Sequence, residues 1–309
     1  MRVFVTGVSG QLGHDVINEL YKRGHEGIGS DIHESYQGVS DGSMAEKCPY
    51  VSLDITDEKR VREVIEELRP DVIVHCAAWT AVDAAEDNED KVRKINAEGT
   101  RYMAEAAKAV DAKMVYISTD YVFNGEGETP WDPDCKDYAP LSVYGKTKLE
   151  GELAVSSLLE KYFIVRIAWV FGLNGRNFVK TMLKVGKNHD QVRVVNDQIG
   201  TPTYTLDLAV LLCDMIETEK YGYYHATNSE ETDGAYISWY DFTKEIYRQA
   251  GYTTEVLPVS TEEYGLSKAK RPSNSRLEKK KLKEMGFTPL PSWKDALKRY
   301  LQAIDIEEL

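Results

Sequence analysis

The stretch TGVSGQLG, residues 6–13, constrains the fold more than any other part of the chain. Gly7, Gly10 and Gly13 stand three residues apart, after the apolar run RVFV and at the head of the helix-forming segment QLGHDVINELYKRG. Glycines there allow a tight turn, let backbone approach a ligand, and bring helix and strand into close contact. The helix start then meets the turn with unpaired N–H groups and a partial positive charge, which suits a pyrophosphate. Ser9, Gln11 and Leu12 share that loop and are expected beside the same ligand. The motif predicts a strand–turn–helix unit that holds a dinucleotide.

The first half of the chain repeats the pattern. Apolar, β-branched runs recur at EGIGSD (26–31), PYVSLD (49–54), DVIVHCAA (71–78) and KMVYIST (113–119), separated by helical segments such as DEKRVREVIEELRP and DKVRKINAEGTRYMAEAAKAV. Continuous apolar strands alternating with amphipathic helices predict an α/β fold, a Rossmann-type doubly wound parallel sheet covered on both faces. A further strand, FIVRIAWVFG (163–172), follows the helix expected over VYGKTKLEGELAVSSLLEK. Beyond residue 170 the rhythm loosens into a helix over Leu206–Glu219, a YYHAT strand and a mixed tail. Within that tail SWYDFTKEIYRQAG and SWKDALKRYLQAI each open on a serine placed as a helix N-cap. Residues 1–170 are expected to form the nucleotide-binding domain, which also receives part of 204–228. Residues 171–309 are expected to form mainly a smaller, partly interleaved substrate lobe.

Composition narrows the partners. The 309 residues are 42% apolar and 29% charged, and no apolar run is long enough to span a bilayer. The opening MRVFVTG reads as a strand, not a signal peptide. Cys48, Cys76, Cys135 and Cys213 lie far apart, which suits free thiols in a cytoplasmic protein and gives no metal site. A net charge of −13 argues against nucleic acid and anionic membrane as partners. The lysine run at 279–281 reads as a solvated helix face.

Asp31 ends the second strand, 18 residues beyond Gly13. A carboxylate there accepts from a ribose hydroxyl and repels a 2′-phosphate, and no arginine follows in DIHESYQ, so NADH is favoured over NADPH. Asp54, at the end of the third strand, is equally suited to a cap and to the adenine end of the cofactor. In VYGKTK, Tyr144 and Lys148 share one helix face. Taken alone, that spacing fits an ordinary exposed helical turn as well as a proton-handling pair. Ketone reduction needs a proton for the developing alkoxide, and a lysine charge beside a phenol favours the tyrosinate. Ser118 and Thr119 end the fifth strand, where alternation points them to opposite faces.

The glycine spacing, Cys76-Ala77-Ala78, Ser118-Thr119 and Tyr144-x-x-x-Lys148 together resemble the extended branch of the short-chain dehydrogenase/reductase superfamily, over essentially the whole chain. AAWTAVDAAE (77–86), STDYVFNG (118–125), PLSVYGKTKLEGE (140–152), NFVKTML (177–183), VNDQIGTPT (195–203) and RPSNSRL (271–277) resemble the dTDP-4-dehydrorhamnose reductase family. That resemblance implies NADH- or NADPH-dependent reduction of the 4-keto group of dTDP-4-dehydro-L-rhamnose to dTDP-L-rhamnose, an activated sugar for surface polysaccharide.

By the same resemblance Thr119, Tyr144 and Lys148 are catalytic, with Thr119 holding the keto oxygen. It also places Ile55, Ala77, Ala78, Trp79, Thr80 and Asn96 near the cofactor, Asn96 as a brace for the active-site backbone. Val82, Asp120 and Trp169 join Thr119 and Tyr144 around the sugar, while Asn177 and Arg271 face the nucleotide diphosphate. Asp197–Thr201 and Asn274–Arg276 are implied as pocket walls. Related 4,6-dehydratases carry Asp-Glu after the threonine; here Tyr121 takes the place of that base. The tail KRYLQAIDIEEL does not align with the metal-bridged dimers of the family, so a monomer or homodimer is expected. Other readings are a reductase or epimerase of another nucleotide-sugar, and a non-catalytic subunit resembling the regulatory subunit of methionine adenosyltransferase.

Overall fold

The computed structural model describes residues 1–230 and 235–307. Seven strands make the central sheet: Arg2–Thr6 (β1), Glu26–Asp31 (β2), Tyr50–Ser52 (β3), Val72–His75 (β4), Lys113–Thr119 (β5), Tyr162–Ile167 (β6) and Gly222–His225 (β7). Their spatial order is β7-β6-β5-β4-β1-β2-β3, and every neighbouring pair is parallel. The order reverses between β1 and β4, and in such sheets ligands bind in the crevice outside the strand carboxyl ends at that point.

The strands form because their residues serve two cores at period two. Val3, Val5, Val72, Val74, Val115, Phe163 and Val165 point to one face, against Gln11–Lys22 (α1) and a helix from the later chain, Thr205–Ile216 (α8). Phe4, Ile73, Met114, Tyr116 and Ile164 point to the other. There they meet Glu58–Leu68 (α2), Thr100–Ala109 (α5) and Val143–Leu158 (α6). Between β4 and α5 lie a short helix, Val82–Ala85 (α3), and Glu89–Arg93 (α4). The sequence reads 90–110 as one long helix, but Lys94–Gly99 widens into a π-turn between α4 and α5. Such bulges occur often at functional sites, because they re-aim one side chain without ending the helix.

The expected strand over 163–172 is two pieces. Trp169 has φ 53°, in the left-handed region that bulky residues avoid, so β6 stops at Ile167 and a new pair begins at Val170–Phe171. Thr203 secures the break from the side, its hydroxyl donating to Ala168 O at 2.6 Å and its N–H to Trp169 O at 3.2 Å.

The remaining chain builds a second cluster around Phe171, Tyr204, Phe242, Trp293 and Tyr300. It uses Phe178–Asn188 (α7), Trp239–Ala250 (α9) and Trp293–Ala303 (α10). Both serine caps form as expected: Ser238 makes a reciprocal capping box with Asp241, and Ser292 accepts from Lys294 and Asp295 N–H. Within the lysine run Lys280 is solvated as expected, but Lys279 is 9% exposed and donates to Thr227 Oγ1 at 3.1 Å and to Glu230, tying the tail to the segment after β7. Among the described residues no helix is long and apolar enough to cross a membrane.

Candidate active site

A cleft of about 1110 Å³ opens along the carboxyl ends of the strands, from Gly10 and Asp31 at one end to Trp169, Trp239 and Arg271 at the other. At the first end the glycine loop has no room for side chains. A Cβ on Gly13 would stand 2.3 Å from Gly7 O, and one on Gly7, whose φ is 69°, would stand 2.8 Å from Ala77 N. Gly10 precedes α1 without any side-chain cap, so the first N–H groups of that helix are left for a ligand. Two buried hydroxyls bordering the cleft, Ser30 and Ser118, have no hydrogen-bond partner among the described residues. The bare helix start, closed loop and waiting donors fit a dinucleotide and its pyrophosphate.

Asp31 stands beside this loop, its carboxylate accepting from Ser9 N at 3.2 Å and Ile32 N at 2.8 Å. Asp54 and Ile55 line the same end, where Asp54 also accepts from the N–H and hydroxyl of Thr56 as a turn residue. Gln11, Leu12, Ala77, Ala78, Trp79, Thr80 and Val82 all border the cleft. Ser9 and Asn96 act behind it. Ser9 Oγ accepts from Gln37 N at 3.0 Å, and the Asn96 carboxamide bonds the backbone of Trp79 and the hydroxyl of Thr147.

Thr119, Asp120, Tyr144 and Lys148 meet in the middle of the cleft. Ser142 caps α6 by accepting from Gly145 N, and Glu86 beyond α3 accepts from Val143 N at 2.8 Å, which fixes the turn that carries Tyr144. Tyr121 meets the Tyr144 ring edge-on, at 5.5 Å and 78°. Burial holds the Tyr144 phenol above its ordinary value, with hydrogen bonding to Thr119 opposing the rise and Asp120 adding to it. Burial likewise pushes Asp120 up to about 6, against hydrogen bonds from Ser275 and Thr119 at 2.5 and 3.0 Å.

The Lys148 ammonium donates to Ile117 O at 2.6 Å and lies 4.1 Å from the centre of the Tyr116 ring. Burial drops Lys148 to about 7, with Glu152 and Cys76 opposing. The lysine sits one turn along the same helix face, as the spacing predicts, but its carbonyl anchor draws the charge toward β5.

At the far end Trp169 stacks on Trp239 with ring centres 3.8 Å apart and planes at 19°, and Phe178 closes on Trp239 at 4.4 Å. Arg271 faces the cleft and is paired with Asp83 at 2.6 Å. Asn177 does not reach the cleft. It caps α7 and gives its amide to Gln11, Gly172 O and the Tyr300 hydroxyl, so its donors are already engaged in holding two lobes together. Residues 197–201 and 274–276 form a second layer: Asp197 holds Thr261, Asn274 holds Glu126 O and Thr129 O, and Ser275 supports Asp120. Sequence reading missed Trp239, Phe178, Arg176 and Lys91, which do border the cleft. The serine before Trp239 was legible as a cap; nothing local says that the tryptophan after it turns toward Trp169.

A parallel sheet with a glycine loop at its switch point and a Tyr–Lys pair beyond the fifth strand defines a dinucleotide-binding protein of the extended short-chain dehydrogenase/reductase class. The chain belongs to the family described as RmlD substrate binding domain, whose model matches residues 1–306. It is 38% identical to the spore coat polysaccharide biosynthesis protein SpsK of Bacillus subtilis, over 97% of each chain. It is 37% identical to dTDP-4-dehydrorhamnose reductase of Aggregatibacter actinomycetemcomitans, covering 96% of this chain and 97% of that one. The crystal structure of dTDP-4-dehydrorhamnose reductase from Bacillus anthracis in complex with NADP superposes with a TM-score of 0.87 at 41% identity, over 98% of this chain and 99% of that one.

Proposed function

We propose that this chain reduces the 4-keto group of dTDP-4-dehydro-L-rhamnose to give dTDP-L-rhamnose, using NADH or NADPH. One observation carries the reading: Thr119, Tyr144 and Lys148 converge midway along a cleft whose one end is shaped for a pyrophosphate and whose other end is walled by Trp169 and Arg271. The curated relatives that bear the reductase name support the sugar and the nucleotide. Tyr121 in place of a carboxylate base argues against water elimination.

When bound, the reduced nicotinamide supplies the hydride. Tyr144 holds the proton that the new alkoxide takes, because burial keeps its phenol protonated at neutral pH. Thr119, tied to Asp120 and Tyr144, fixes the keto oxygen beside that phenol. Lys148 carries the positive charge that offsets the tyrosinate left behind, and the Trp169–Trp239 stack gives the sugar ring a flat apolar wall. Asp31, a carboxylate at the end of β2 beside the glycine loop, supports NADH as the preferred reductant, since a carboxylate there accepts from a ribose hydroxyl and repels a 2′-phosphate.

Incubating the pure protein with dTDP-4-dehydro-L-rhamnose and each reductant, and identifying the sugar by NMR, tests the reading. dTDP-L-rhamnose with faster turnover on NADH is the expected result. Unchanged keto-sugar, or reduction of a UDP-sugar alone, would overturn it.

A further inference from the structure

The short helix α3 carries Asp83, and four hydrogen bonds from one segment of the substrate lobe converge on that carboxylate. Lys268 N and Ala269 N donate to Oδ1 at 3.0 Å each, and Arg271 donates from Nη1 to Oδ1 at 3.0 Å and from Nη2 to Oδ2 at 2.6 Å. Lys268 also pairs with Asp87, one turn along the same face. The bonds span more than 180 positions of sequence, so they fasten the far end of the chain onto the loop that carries Trp79, Thr80 and Val82. Asp83 is held down to about 2, first by the Arg271 bond, so the clasp persists throughout the neutral range.

The geometry of the guanidinium decides what the clasp does. An arginine has five N–H donors in a rigid plane, arranged as two forks. The end-on fork, Nη1 and Nη2, is taken by Asp83, and Nη1 also reaches Ala269 O at 3.3 Å. Among the described residues the side-on fork, Nε–H with the second Nη2–H, meets no acceptor, and Arg271 borders the cleft. That is the arrangement for gripping a two-oxygen anion while the other edge is pinned.

We propose that Asp83 is a positioning residue, which holds Arg271 end-on so that its side-on fork meets a diphosphate of the nucleotide-sugar. The inference rests on Arg271 being a phosphate contact, as in the reading above. Without the clasp the arginine is a long flexible side chain, and the segment 268–271 loses its anchor on α3. Charge alone acts the other way: removing an acidic neighbour raises the positive field at Arg271 and tightens binding of an anion. The two effects have opposite signs, so the experiment separates them.

Binding of dTDP and of thymidine, which lacks the diphosphate, is measured by calorimetry on wild-type protein and on Asp83→Asn, Asp83→Glu, Arg271→Ala and the Asp83→Asn/Arg271→Ala pair. We expect Asp83→Asn to weaken dTDP about tenfold, leaving thymidine and NADH affinities unchanged. Asp83→Glu restores part of the loss, and the Asp83→Asn change has no further effect once Arg271 is alanine. With saturating NADH, the same variant raises KM for the keto-sugar more than it lowers kcat. Equal or tighter dTDP binding by Asp83→Asn, with Arg271→Ala weakened, overturns the positioning role. Unchanged dTDP binding by Arg271→Ala overturns the phosphate reading beneath it, and a parallel loss of thymidine, NADH and thermal stability in Asp83→Asn marks a merely structural clasp.

Discussion

The carboxamide of Asn96 holds both backbone polar groups of Trp79: Oδ1 accepts from Trp79 N at 2.8 Å and Nδ2 donates to Trp79 O at 3.1 Å. Asn96 lies on the π-turn before α5, so the widened helix directs one side chain at the loop that borders the cleft. Asn96→Ala leaves two backbone groups without their partner in a largely buried site. The expected loss is about 1–3 kcal/mol in stability, with weaker NADH binding as the 78–82 loop relaxes. Denaturant unfolding and a fluorescence titration check both; unchanged NADH affinity would contradict the bracing role.

Tyr144→Phe removes only the donor oxygen from a packed ring. NADH binding is expected to survive while turnover falls by about 10²–10⁴. Lys148→Met is expected to fall comparably in turnover, because the tyrosinate then lacks its counter-charge. Stopped-flow measurement with saturating reductant reads the chemical step, and a variant Tyr144→Phe that turns over at the native rate would remove the phenol from the mechanism.

Gly13→Ala tests the cradle. The added carbon would lie 2.3 Å from Gly7 O and 2.8 Å from Gly7 C, backbone atoms of the turn itself, so the loop must open. Such overpacking costs about 1–3 kcal/mol; carried into the bound loop, that predicts about a 5- to 150-fold loss of NADH affinity. An alanine at Gly24, where the added carbon meets nothing within 4 Å but φ is 74°, strains the backbone away from the cradle and serves as the control for affinity.

Arg166 and Glu152 form a fully buried bidentate pair at 2.8 Å, joining β6 to α6, with Arg166 also donating to Pro133 O and the Tyr138 hydroxyl. Arg166→Met strands a carboxylate away from water and is expected to destabilise by about 3–5 kcal/mol. Adding Glu152→Met to that variant should recover part of the loss, because no buried charge then remains alone. Equilibrium denaturation of the two variants decides the point; equal instability would argue against charge burial as the cause.

Asp15 gives a pH signature distant from the chemistry. It lies on α1 against α8, accepting from Thr205 Oγ1 at 2.5 Å, and burial raises its carboxyl to about 6. The folded state therefore keeps this proton to a higher pH than the unfolded chain. Its stabilising contribution is full below the unfolded value of 3.8 and is lost as pH rises through about 6. Asp15→Asn should gain on the wild type between about pH 4 and about pH 7, by up to about 3 kcal/mol. Denaturation midpoints across that window test it, and a constant difference between the two proteins would rule it out.

Much of this site is legible in the chain because its parts are local. A glycine loop at a strand–helix turn declares itself within a few residues, whereas the Tyr–Lys pair is ambiguous alone and gains its meaning from the strings around it. Asn177 reads equally well as a ligand contact, yet its amide is engaged by Gln11 and Tyr300, which lie 166 and 123 positions away. Trp169 reads by resemblance as an aromatic wall, but its stacking partner Trp239 opens α9, with α7, α8 and β7 between them in the chain. The carbonyl that Lys148 finds, Ile117 O, was also hidden, because spacing reports only which residues share a helix face.

By itself the sequence determined the elements and their order. Period-two apolar runs serving two faces make the strands, helical spacing makes the covering layers, and the three glycines make a close-packed turn at the head of the first helix. Only the tertiary structure decided how the ends of those elements are held. Asp83 reaches Arg271, Glu86 reaches Val143, Asn96 reaches Trp79 and Ser275 reaches Asp120. Periodicity follows from local backbone geometry and the burial of adjacent residues. A hydrogen bond between distant segments depends on where two rigid bodies come to rest, to within a few tenths of an ångström, and no local pattern carries that distance.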